Sequence, residues 1–344
     1  MSNPKYSLVD KISYRLYLKN YMLAKLSYNV EKRILNNKIQ DFELNQAVFI
    51  TGLARAGTTV ILNSLYNTHQ FASLKYSNMP FLLMPNSWNR IHKSVPTPLQ
   101  ERAHQDGILV NNESPEALDE FFWKVFLNDS YIREGYLEVH DVSDDLLSEY
   151  IRYMKLVCIS QNQHSYLSKN NNNILRLHSL LNLEINKKII LLYRHPAEHS
   201  MSLLKEHQLF SSTQVSDPFS LEYFDFIGHH EFGLHHKPFH LFSDDTIQYL
   251  NCHKENPDYW LRIWKSFYQY VLDNFSDFIC VLSFDDICNR SSIVSSFLRK
   301  FLNLNSHPTI PVRPKTSSYV SSFDQSLLDE CMYIYDQLNQ LRKY

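Results

Sequence analysis

The chain has 344 residues, 44% hydrophobic and 20% charged, with 34 Lys and Arg against 36 Asp and Glu and a formal net charge of −2. That length allows one large domain or two small ones, and the apolar fraction excludes wholesale disorder. The charge balance argues against a dedicated nucleic-acid binder, which needs a strongly basic face. No apolar run exceeds five residues, where a bilayer-spanning helix needs about 20.

The opening Met-Ser-Asn-Pro-Lys-Tyr lacks the apolar core of a secretory signal. The five cysteines (Cys158, Cys252, Cys280, Cys288 and Cys331) are scattered, without a C-x-x-C. They read as reduced thiols, neither a disulfide framework nor a zinc site, and the expectation is a cytoplasmic chain with no metal. Only six glycines occur, against about 24 for average usage. Two of them, Gly52 and Gly57, bracket one short loop, where the backbone needs conformations that side chains resist.

Residues 1–45 hold eight Lys/Arg and four Asp/Glu, with Tyr14, Leu18, Tyr21 and Met22 at helical spacings. They read as a helical segment packed on the domain, in preference to a basic helix on a membrane surface. Ala47 to Ile50 is an apolar run suited to a strand buried on both faces; a loop from Gly52 to Gly57 and a helix from Thr58 to Tyr66 follow. Ser114-Pro115 resembles a helix cap with proline at the first turn, preceding Leu118, Phe121, Phe122 and Val125 on one face. Ser143 caps a further predicted helix carrying Leu147, Tyr150, Ile151, Met154 and Cys158. Ile174–Leu177 and Lys188–Tyr193 read as strands, with Asn170 to Asn173 as a polar turn. His195-Pro196 opens a helix to about Leu209, and Asn256-Pro257 a long one with Trp260, Trp264, Phe267 and Val271 in a stripe. Phe278–Phe284 reads as a strand, Ser292–Leu302 and Tyr333–Leu341 as helices. Strands alternating with helices imply a parallel sheet with helices on both faces, in one α/β domain with insertions.

Phe49-Ile50-Thr51-Gly52-Leu53-Ala54-Arg55-Ala56-Gly57-Thr58-Thr59 is a strand, a loop and a helix start. Such a loop turns successive backbone N–H groups toward one point, where the helix dipole adds to their field. It is a phosphate cradle. A nucleoside triphosphatase has lysine where this chain has Thr58; here the cation stands inside the loop, as Arg55. The loop resembles that of sulfotransferases using 3′-phosphoadenosine 5′-phosphosulfate (PAPS), whose first signature is [KR]-[SAG]-G-T-[ST]. The resemblance implies that Gly52, Ala54, Arg55, Ala56, Gly57, Thr58 and Thr59 hold the 5′-phosphosulfate.

The family's second signature, a strand ending in Arg with Ser eight positions later, matches Arg194 and Ser202 and implies that both hold the 3′-phosphate. Lys169 matches a lysine that contacts the sulfuryl group, but the catalytic His two residues beyond it is here Asn171. His104, Asp106 and Glu113 then become the candidate bases, with His104 first and Glu113 second. Arg55 and Lys169 are the expected catalytic cations.

The resemblance implies a P-loop-like three-layer α/β fold: an N-terminal helical segment (1–45), a sulfotransferase domain (46–310) with acceptor-side insertions at about 76–165 and 210–255, and a C-terminal loop and helix (311–344). It implies PAPS as co-substrate, no metal, and a small-molecule, glycan or lipid acceptor bearing a hydroxyl or amine. A kinase with a variant phosphate loop and a catalytically silent nucleotide-binding protein are the alternatives. The histidines from His229 to His236 lack the H-E-x-x-H spacing of a zinc helix and read as an acceptor-side loop. Asp285-Asp286 read as helix caps or structural pairs, and Arg313 and Lys315 as a basic loop able to close over the 3′-phosphate.

Overall fold

A computed structural model describes residues 6–242, 253–311 and 323–344; Cys252, Arg313 and Lys315 lie outside them. The N-terminal segment folds as helices α1 (Leu8–Leu18) and α2 (Tyr21–Ile34), the first closed by a reciprocal cap between Ser7 and Asp10. Strand β1 (Gln46–Gly52) runs into the loop and α3 (Thr58–Tyr66). Helices α4 (Glu120–Leu127) and α5 (Asp144–Gln161) precede β2 (Ser165–Lys169). Strand β3 (Lys187–Tyr193) leads into α6 (Pro196–Ser216) and α7 (Pro218–Ile227). Then come α8 (Pro257–Phe275), β4 (Cys280–Ser283), α9 (Ser291–Phe301) and α10 (Gln325–Gln340).

The four strands form one parallel sheet in the order β2-β1-β3-β4. Alternation along each strand sends side chains to two separate cores. Phe49, Ile189, Leu191 and Val281 pack on one face against α5, α8 and α10. Val48, Ile50, Ile190, Leu192 and Leu282 pack on the other, against α3 and α9. The result is the expected three-layer α/β fold. The chain leaves β1 toward β2 on one side and toward β3 on the other, so the strand order reverses at the carboxyl end of β1. Open α/β sheets bind ligands at that point.

Two expectations need correction. Ile174–Leu177 is no strand: Asn171–Arg176 is a 3-10 turn, and the edge strand lies earlier, at Ser165–Lys169. The sequence Ser-Tyr-Leu-Ser-Lys hides a buried strand because its polar groups are satisfied internally, Ser168 Oγ donating to Asp119 Oδ2 at 2.7 Å. The helix foreseen at Ser114-Pro115 begins only at Glu120. Ser114 is spent on a turn instead, its Oγ accepting the Asn111 N–H at 2.9 Å.

Candidate active site

The loop after β1 is fixed by close packing. Gly52 has φ +145°, and a Cβ there would lie 2.6 Å from the Leu192 carbonyl oxygen of β3. Gly57 has φ +93°, and a Cβ there would meet the Phe284 ring at 2.8 Å. Arg55 also sits at positive φ, 71°, a region that non-glycine residues occupy at a cost. The Gly57 carbonyl accepts the N–H groups of Val60 and Ile61, so the Thr58 and Thr59 amides precede the helical ladder, at the positive end of the helix dipole. His199 of α6 completes the clamp, its Nε2 donating to the Ala54 carbonyl at 2.8 Å. Burial lowers that imidazole to about 3, so it stays a neutral tie.

Arg194 leaves the carboxyl end of β3 beside this loop. Trp264 of α8 donates its indole N–H to the Arg194 carbonyl at 3.1 Å, and the guanidinium lies 4.6 Å from the centroid of the Phe284 ring. One nitrogen reaches Glu198 at 3.6 Å, while Nε is buried with no hydrogen-bond partner. Ser202, two turns into α6, is buried and accepts from Arg55 Nε at 3.4 Å. The two sequence signatures therefore meet through Arg55 and Ser202. Ser200, two residues earlier on α6, is fully buried and makes no such contact.

A cleft of about 610 Å³ opens over the loop, walled by Tyr6, Tyr14, Tyr223, Phe224 and Phe232 and floored by Arg55, Thr58, Thr59, Glu116 and Lys169. A chain of alternating charges runs along one side. Arg102 grips Asp106 through two nitrogens, at 2.5 and 3.0 Å, and donates to Thr59 Oγ1 at 3.1 Å. Asp106 Oδ2 also takes Arg55 Nη1 at 2.8 Å. Arg55 Nε then lies 3.4 Å from Glu206, whose other oxygen holds His104 Nδ1. Burial opposes ionisation of Asp106, yet the two arginines outweigh it and hold the carboxyl well below its usual range. Burial likewise lowers the His104 imidazole, while Glu206 pulls it back up.

Lys169, the last residue of β2, is buried with Nζ 3.6 Å from Glu116. Burial alone would raise the Glu116 carboxyl; Lys169 and Arg102 overcome it and bring the group down to about 2. Asn171 donates to Glu231 at 3.0 Å, on the cleft wall. Glu113 is apart from the others. It pairs with Lys75 at 2.5 Å, and that partner together with hydroxyl donors outweighs desolvation, so its carboxyl is lowered rather than raised.

Glu206, Arg102, Glu116 and His199 were not legible as site residues, since none belongs to a signature. Asp285 and Asp286 serve the C-terminal helix and tail, accepting from Tyr335 at 2.7 Å and Arg342 at 2.6 Å. His235 pairs with Asp225 and His236 with Tyr259. Among the described residues no group of three His, Cys, Asp or Glu side chains could hold a metal ion, and no helix is long and apolar enough to cross a membrane.

No protein-family model matches this chain, and no curated protein sequence does. Among solved structures it is similar to the sulfotransferase STF1 from Mycobacterium tuberculosis H37Rv, at 10% identity over 99% of this chain and 88% of that one, with a TM-score of 0.46. It is also similar to the sulfotransferase STF9 from Mycobacterium avium, at 12% identity over 91% and 89% with a TM-score of 0.38. A sulfotransferase domain from the curacin biosynthetic pathway aligns at 14% identity over 86% and 98%, with a TM-score of 0.40. Likenesses this distant decide nothing about chemistry, which has to come from the side chains.

Proposed function

We propose that this chain is a sulfotransferase that moves a sulfuryl group from PAPS to a hydroxyl or amine of a small-molecule, glycan or lipid acceptor. The observation that carries the reading is that the two segments matching the signatures come together: Arg55 of the loop lies 3.4 Å from Ser202, and Arg194 lines a small pocket with Arg55, Gly57, Thr58 and Thr59 and keeps a buried, unpartnered Nε. The donor set suits a bisphosphate. Loop amides, Thr58 and Thr59 fit the 5′ end, and Arg194 with Ser202 fits the 3′-phosphate, the guanidinium offering charge-assisted bonds. Thr58 in place of a lysine removes the group that a kinase of this type sends to the β- and γ-phosphates.

PAPS supplies the sulfuryl group: as the acceptor atom bonds to sulfur, the bond from sulfur to the 5′-phosphate oxygen breaks, and 3′-phosphoadenosine 5′-phosphate leaves with the electron pair. Arg55 and Lys169 hold positive charge where the sulfuryl and bridging oxygens gain negative charge. The aromatic walls exclude water and orient the acceptor. A carboxylate can only accept at Nδ1 of His104, so that nitrogen carries the proton and Nε2 is left to take one from the acceptor. Glu113, tied to Lys75, is the weaker candidate base, and Glu206 is the residue that orients His104.

Thermal unfolding with nucleotides tests the reading. At 100 times its dissociation constant a ligand stabilises the fold by about 2.7 kcal/mol. The 3′,5′-bisphosphate should raise the melting temperature without magnesium, and ATP with magnesium should do little. Stabilisation by ATP with magnesium alone would favour the kinase reading instead.

A further inference from the structure

Helices α1 and α2 are apolar on two faces. The inward face holds Tyr17, Leu18, Ala24 and Tyr28, all buried in the main core. The outward face should then be polar, and it is not. Ile12 and Leu16 on α1 continue a row begun at Leu8; Met22, Leu26, Val30 and Ile34 form a second row on α2 at unbroken four-residue spacing. All seven are between 48 and 85% exposed. Met22, which the sequence groups with the packed residues, therefore belongs to the outer row.

We infer that this outer face docks on an anionic lipid bilayer. Three observations commit the face to that occupant. Between residues 6 and 41 stand seven Lys/Arg and three Asp/Glu. Of those carboxylates, Glu31 is buried and takes the amide N–H groups of Asn86 and Ser87, and Asp10 is held by the Ser7 cap. Arg15 and Lys19 share Glu222, and Lys32 pairs with Glu149; Lys11, Lys25, Arg33 and Lys38 then keep the outward surface cationic on a chain whose net charge is −2. Lys19 follows Leu16 by three positions and Arg33 follows Val30 by three, so the cations stand within the apolar faces; both are exposed. A protein interface depletes lysine at its core, whereas a bilayer surface takes apolar side chains below its headgroups and cations among them.

The third observation is continuity with the cleft. Tyr6, Asp10 and Tyr14 of the N-terminal segment form part of its wall, and the stretch supplying Thr97, Pro98 and Gln100 to the rim also carries exposed Val95 and Leu99. Docking therefore brings the cleft's wall to the bilayer. If the sulfotransfer reading holds, the acceptor is a lipid-borne hydroxyl or amine. That consequence rests on the proposed function; docking itself does not.

Cosedimentation of the full chain with vesicles, with no nucleotide or acceptor present, tests docking independently of catalysis. The chain should bind vesicles of phosphatidylcholine and phosphatidylglycerol at 3:1 and bind pure phosphatidylcholine weakly. The variant L16S/M22S/L26S/V30S removes four exposed side chains, so its melting temperature should stay near that of the parent, while its vesicle affinity falls at least about 100-fold. Lys19→Glu with Arg33→Glu should weaken binding at least about tenfold on anionic vesicles only, each cation near such a surface being worth about a fivefold factor. Failure of the parent to sediment, or equal binding by the serine variant, overturns the inference. So does light scattering that finds a dimer dissociated by the serine substitutions without vesicle binding, which would assign the face to a second copy of the chain.

Discussion

Two arginines of this molecule sit beside carboxylates and aromatic rings, and their surroundings differ in one respect. Arg176 is fully buried, with Nη1 and Nη2 on the two oxygens of Glu120 at 2.7 and 2.9 Å and Nε on His140 at 3.2 Å. Its guanidinium lies 5.0 Å from the ring centroids of both Trp123 and Tyr131, and Glu120 is completed by Tyr131 and by Asn170 at 2.7 Å. Each of its three nitrogens makes a hydrogen bond. Arg194 has a ring neighbour and a carboxylate too, but the ion pair is 3.6 Å long and Nε has no partner. A saturated arginine holds a fold together; one with a buried donor to spare has capacity for an anion. Burial alone does not separate the two, and the count of satisfied nitrogens does.

That contrast breaks most sharply under substitution. Arg176→Met leaves Glu120 as a buried, uncompensated carboxylate and should cost about 3–5 kcal/mol of unfolding free energy, with Glu120→Gln in the same chain restoring much of it. Arg194→Ala should leave the stability of the free protein within about 1 kcal/mol while removing charge-assisted bonds worth roughly 1.5–3 kcal/mol each from the nucleotide. Chemical denaturation of both variants, with and without the 3′,5′-bisphosphate, gives the comparison. An Arg194 variant as unstable as the Arg176 variant, or one with undiminished affinity, would make both arginines structural.

The same count of partners applies to the charge chain that ends at His104. His104→Ala should lower turnover about 100- to 10,000-fold. The base acts when neutral, and its folded pKa lies below the ordinary 6.5 because burial outweighs Glu206. Turnover should therefore hold at neutral pH and fall as pH drops through a limb below 6.5. Glu206→Gln removes the group that raises this pKa, so the limb should move to still lower pH while maximal turnover falls through lost orientation. A limb that stays in place in that variant would show Glu206 to be a structural partner of Arg55 alone.

What the sequence disclosed follows from the same physics. The order strand, glycine-bracketed loop, helix was legible because Gly52 and Gly57 occupy backbone positions where a side chain would collide, and a glycine-poor chain advertises that need. Arg194 was legible only through the resemblance, which pairs an arginine ending a strand with a serine eight positions later, here Ser202. Strand β2 was hidden, since Ser165, Ser168 and Lys169 are polar and their partners, such as Asp119, stand about 50 residues away in the chain. Arg102, Glu116 and Glu206 were hidden for the same reason: their value lies in which charges the fold brings to them. The outer rows of α1 and α2 escaped notice because their four-residue spacing is what a core-facing stripe also shows.

The edge strand offers the mildest test of the saturated region. Asp119 is fully buried beside Glu120, and its Oδ2 accepts from Ser168 at 2.7 Å and Tyr150 at 3.0 Å. Burial is the dominant influence and raises the carboxyl to about 6 despite those donors. An unfolded aspartate titrates near 3.8, so between these values the folded state binds the extra proton and stability falls as pH rises. Above about 6 the full cost applies, and below 3.8 it vanishes. The gap of about two pH units corresponds to at most about 3 kcal/mol. Asp119→Asn removes the titration while keeping an acceptor for Ser168 and Tyr150. The difference in unfolding free energy between variant and parent should therefore shift in the variant's favour by up to that amount from pH 4 to pH 7.5, whatever constant offset the new amide adds. Parallel pH profiles for the two proteins would mean that Asp119 is ionised in the fold throughout, with Arg176 compensating both carboxylates and not Glu120 alone.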